Sequence, residues 1–67
     1  MRQTPVLNLR QSDILVMVCQ GKRNKDIAYH VGLSERTVKW YISQLFLIFG
    51  VSNRTELVAI LSGDPTT

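Results

Sequence analysis

Arg36, Lys39, Trp40 and Ser43 fall at offsets 0, 3, 4 and 7, the spacing that places side chains on one side of an α-helix. All four can donate hydrogen bonds, through a guanidinium, an ammonium, an indole N–H and a hydroxyl. Donors in such a row suit the base edges of a DNA major groove, which admits a helix and presents guanine O6 and N7 as acceptors. A cationic helix side is in most proteins simply a solvated face. The row therefore carries weight only through the elements that position it.

The spacing predicts that these residues ride on a helix over 34–49. Val38, Tyr41, Ile42, Leu45 and Phe49 recur at offsets 0, 3, 4, 7 and 11, a buried stripe on the opposite side. Ser34 suits the N-cap, where its hydroxyl accepts from free first-turn N–H groups. Gly50 suits the left-handed position that closes a helix. Upstream, Asn8 with Gln11 has capping-box spacing and opens a helix over 8–20, with Leu7 placed to staple against its first turn. That helix ends at Gly21, and its run of Ile14, Leu15, Val16, Met17, Val18 and Cys19 also fits a strand. Length and caps favour the helix. A shorter helix over 24–31 turns Ile27, Ala28 and Val31 inward and stops at Gly32, leaving a tight turn before Ser34. Short helix, glycine-containing turn and capped helix make a helix-turn-helix. A fourth helix over 53–62 starts with Asn53 and Glu56 at capping-box spacing, and Leu57, Val58, Ile60 and Leu61 cover more than one side of it. One side should pack inward and the other meet a partner.

The fold expected is thus all-α, a tetra-helical helix-turn-helix domain over 7–62, with flexible tails at 1–6 and 63–67. The 67 residues carry eight Lys plus Arg against five Asp plus Glu, a mild bias toward anionic partners. Lys22, Arg23, Lys25, Arg36, Lys39 and Arg54 cluster near proposed helix starts, where phosphate is already favoured. The lone Cys19 excludes an internal disulfide framework and reads as a small core residue. His30 has no second ligand at metal spacing. No phosphate loop, nucleophile with a base, or acid pair is present. No metal, cofactor or enzymatic activity is expected. No apolar run approaches a membrane span, and the first residues lack a signal-peptide core, so a cytoplasmic location is expected.

Three blocks resemble the LuxR/GerE-type DNA-binding domain, the output module of many bacterial response regulators and quorum-sensing activators. They are Gly21 with Asn24-Lys25-Asp26-Ile27-Ala28, then Val31-Gly32-Leu33-Ser34-Glu35-Arg36-Thr37-Val38-Lys39, then Phe49-Gly50-Val51-Ser52-Asn53-Arg54-Thr55-Glu56-Leu57. The resemblance implies sequence-specific binding of double-stranded DNA, with Lys39, Trp40 and Ser43 at base edges. It also implies Asn24, Lys25, Thr37 and Arg54 at phosphates. Arg36 joins the base-reading set through the donor row, and Ser34 the phosphate set. A homodimer through the fourth helix would use Leu57, Val58 and Leu61, and an upstream receiver or ligand-sensing domain is a further implied partner.

The chain departs from that pattern at Tyr41, where His is usual, at Gln44, where Asn is usual, and at Leu47 and Ile48, where polar or basic residues are common. Gln11 replaces a Glu. A missing cation at Ile48 removes a phosphate contact and weakens binding by the monomer. Phe46, Leu47 and Ile48 cannot all enter one small core. An alternative therefore stands beside DNA binding: a protein-interaction module of the same fold, with an apolar surface around Trp40, Leu47 and Ile48.

Overall fold

A computed structural model describes residues 7–61, and within them the chain forms α1 (Leu9–Cys19), α2 (Asn24–Val31), α3 (Glu35–Phe49) and α4 (Arg54–Leu61), with no strand. The all-α, four-helix architecture matches the expectation, each boundary within a residue or two. The expected tails, and the last residue of the fourth helix, lie outside the described residues.

Local chemistry sets the helix ends. Gln11 N–H donates to Asn8 Oδ1 at 2.8 Å and Asn8 N–H donates to Gln11 Oε1 at 3.0 Å, a complete capping box. Ser34 Oγ accepts from Thr37 N–H at 3.1 Å to cap α3. At α4 the reciprocal pair is displaced. Glu56 N–H donates to Asn53 Oδ1 at 2.9 Å, but the Glu56 carboxylate accepts from Ser52 N–H at 2.7 Å. The turn between α2 and α3 depends on Gly32, whose φ of +74° would strain a residue bearing a Cβ. Leu33 N–H then reaches back to the Ala28 carbonyl at 3.0 Å, closing α2 and redirecting the chain.

The core is one apolar cluster: Ile14 and Val18 from α1, Ile27 and Ala28 from α2, Val38, Ile42 and Leu45 from α3, and Leu57 from α4. Tyr41, Phe46 and Phe49 pack around it, half-buried. No polar or charged side chain among the described residues is buried. Burial of apolar surface therefore supplies the interior stability. The longest helix, α3, packs against each of the other three, whereas α2 and α4 do not pack against each other. The small Ala28 of α2 is 5% exposed within this cluster.

Two expectations are corrected by burial. Cys19 is exposed rather than a core residue. It follows Val18 by one residue, which turns it about 100° off the inward stripe. It opens onto a groove between α1 and α4, where desolvation pushes its thiol above the ordinary value. Leu57 is fully buried in the core cluster, while Thr55 and Glu56 before it are exposed. It cannot serve as an outward dimer contact.

Leu45→Ala should cost about 3 kcal/mol, most of what so small a core supplies. Urea unfolding followed by circular dichroism should find its midpoint shifted close to zero denaturant. The same measurement on Leu47→Ala, two residues along and 75% exposed, should shift stability by less than about 0.5 kcal/mol.

Candidate nucleic-acid interface

The fully buried Val38 and Leu45, with Ile42, fix the rotation of α3. That leaves Arg36, Lys39, Trp40 and Ser43 exposed on the far side. The four fall within an arc of about 100° around the helix axis. Neither Arg36 nor Lys39 has an ion-pair partner among the described residues, where the ion pair present is Arg23 with Asp26 at 3.8 Å. Their charges face solvent uncompensated. Trp40 is 57% exposed and its ring stands edge-on to Tyr41, with centroids 5.1 Å apart. The Ser43 hydroxyl donates to the Lys39 carbonyl at 3.1 Å. Its outward lone pairs then accept, which suits a base amino group better than a base carbonyl.

The residues assigned to phosphate lie beside this row. Asn24 and Lys25 open α2, whose N-cap residue Arg23 makes no side-chain cap. The first-turn N–H groups of α2 therefore lack the side-chain acceptor that Asn8, Ser34 and Asn53 supply to the other three helices. Unsatisfied N–H groups at a helix start attract anions. Lys22, Arg23, Lys25 and Arg54 line one shallow depression with Asn24, and Glu35 is the acid among its lining residues.

Arg54 organises that depression. Its Nη1 donates to Asn24 Oδ1 at 2.8 Å and its Nη2 donates to the Lys22 carbonyl. One guanidinium thus joins the start of α4 to the start of α2, although the backbones of the two helices do not pack together. Because Oδ1 turns toward Arg54, the amide nitrogen of Asn24 is the end left to donate elsewhere. At the start of α3 a similar orientation arises. Ser34 Oγ accepts from Thr37 N–H and donates to Thr37 Oγ1 at 2.9 Å. Ser34 is therefore occupied by the cap, while the Thr37 proton is left to point elsewhere.

On α4, Val58 and Leu61 are half-buried against the core and Ile60 is 52% exposed. Of the three residues expected at a dimer contact, Leu57 drops out and Ile60 stands in the outward position. Tyr29, absent from the sequence pattern above, is 85% exposed. It lies four residues after Lys25 on α2, and that i,i+4 spacing was its only signal. His30 meets the Tyr29 ring edge-on at 5.9 Å. No group of three or more metal-ligating side chains occurs among the described residues.

A short helix, a three-residue turn and a capped helix with its donor row outward define a helix-turn-helix domain. The chain belongs to the luxR family of bacterial regulatory proteins, whose family model matches residues 5–61. It is 41% identical over 56 residues to the two-component response regulator PprB of Pseudomonas aeruginosa, covering 84% of this chain and 20% of that protein. Against the response regulator Rre1 of Synechocystis it is 45% identical over 49 residues, covering 73% and 21%. Against the uncharacterized transcriptional regulatory protein YvfU of Bacillus subtilis it is 38% identical over 60 residues, covering 90% and 30%. The chain thus spans less than a third of the length of these curated relatives. No solved structure matches it.

Arg54→Leu should lower the unfolding free energy by about 2 kcal/mol, since two hydrogen bonds from a charged group are lost. Amide exchange should quicken at Ile27 and Ala28, the first hydrogen-bonded amides of α2, more than in α1. Equal acceleration throughout would show that the guanidinium does not hold the start of α2.

Proposed function

We propose that this chain is the sequence-specific DNA-binding domain of a bacterial transcription regulator, with α3 lying in the major groove. The observation that carries this is the exposed row of α3, whose two cations have no ion-pair partner among the described residues, set opposite a buried spine. Arg36 and Lys39 donate to guanine edges, Ser43 accepts from a base amino group, and Trp40 packs on or donates to a neighbouring base. Asn24, Lys25, Thr37 and Arg54 hold phosphates on either side, fixing register without reading sequence. Ser34 acts on phosphate through Thr37, whose hydroxyl it orients, and Tyr29 adds a second hydroxyl one turn beyond Lys25.

Two copies pair through the outer side of α4, using Val58, Leu61 and Ile60, and address half-sites about 34 Å apart. Pairing matters because Ile48 supplies no cation, so each copy alone grips weakly. The relatives named as response regulators support an arrangement in which this domain is joined to a receiver or other sensing domain and works in the cytoplasm.

A second function is favoured by one observation, the exposure of Trp40 and Leu47 on the same side of α3. The row would then dock a protein rather than DNA. Fluorescence anisotropy against duplexes at several salt concentrations separates the two. Saturable, salt-steep binding supports the first, and none at low salt supports the second.

In that titration Lys39→Ala should cost about 1–3 kcal/mol on the preferred site and relax its base preference. Unchanged site selection would remove Lys39 from the reading set. Lys25→Ala should instead weaken all duplexes alike and flatten the slope of log affinity against log salt by about 0.9.

A further inference from the structure

Leu47 is 75% exposed on the longest helix of the molecule, and the core does not account for it. Phe46 and Phe49 pack against the apolar cluster from either side of it in sequence, and Ile48 is about half as exposed. Each residue turns about 100° around a helix. Leu47 therefore falls inside the arc bounded by Lys39 and Trp40, opposite Val38, Ile42 and Leu45. It continues the donor row by one more turn, about 6 Å beyond Ser43 along the axis. Base pairs follow one another every ~3.4 Å, so Leu47 stands roughly two steps further along the groove than Ser43.

An aliphatic side chain has no hydrogen bond to offer a base edge. The apolar feature of the major groove is the C5-methyl of thymine. A protein partner seated on the same row would have to bury Arg36 and Lys39, whose charges are unpaired among the described residues, and burying unpaired charge is costly. DNA leaves those charges compensated. We infer that Leu47 is a specificity-determining residue that packs on a thymine methyl, requiring an A·T pair about two steps from the base met by Ser43. This rests on the DNA-binding function proposed above and adds to it an apolar contact where a polar or basic residue would only grip.

The test begins with selection of a preferred duplex from a random library by the whole chain. Each thymine of that duplex is then replaced singly by uracil, which lacks the methyl, and bound to the wild type and to Leu47→Ala. At one thymine, uracil should weaken the wild type about fourfold, the worth of one buried methyl. The same replacement should leave Leu47→Ala unchanged. Uracil effects that are equal in both proteins at every position, while Lys39→Ala still shifts base preference, would overturn the Leu47 assignment and leave DNA binding standing. No saturable binding of any duplex would overturn both. The exposed position of Leu47 keeps its alanine variant folded, so loss of structure does not confuse the comparison.

Discussion

The exposure of Arg36, Lys39, Trp40 and Ser43 together depends on the rotation of α3, and that rotation is held by Val38 and Leu45 being wholly inside, with Ile42 nearly so. Three helices press on this spine from different directions, so turning α3 by one residue would expose it to water and bury Lys39. Transfer of even one such side chain costs about 1.5–3 kcal/mol, and placing an unpaired ammonium in the core costs more. The outward row is therefore rigid in azimuth, although its two cationic side chains are held by no ion pair among the described residues.

A second constraint acts where packing does not. With the backbones of α2 and α4 apart, the Arg54 side chain spans the gap and fixes both the Asn24 amide and the backbone at Lys22. The device is economical because a guanidinium offers five donors in a planar fork. It also means that Arg54 works largely through Asn24, so a single assignment to phosphate understates it. The paired hydroxyls of Ser34 and Thr37 do the same at the start of α3, where one donor is spent so that its neighbour's stays available.

Much of this was legible in the sequence because it is local. The Asn8–Gln11 box, the Ser34 cap, the glycine after each of the first three helices and the two stripes of α3 involve residues within a turn or two of one another. Spacing is enough to fix them. What escaped involves separation or phase. Asn24 and Arg54 are 30 residues apart, and nothing in spacing pairs them. The continuous apolar runs of α1 and α4 have no polar interruptions to mark their inner sides, so Cys19 and Leu57 were given the wrong environments. In the displaced box of α4, the chain turns at Ser52 in a way that brings that residue's N–H, rather than that of Asn53, under the Glu56 carboxylate.

The interior contains no buried ionisable group among the described residues, and this separates two responses to the solvent. Counterions weaken attraction between exposed charges, yet they find nothing to screen between Ile14, Ile27, Val38, Leu45 and Leu57. Ionic strength is consequently a dial for the outer surface alone: raising it strips a polyanion from the domain while the hydrocarbon interior stays assembled. If the domain holds DNA as proposed, a change in a cell's potassium content would retune that binding without unfolding the molecule.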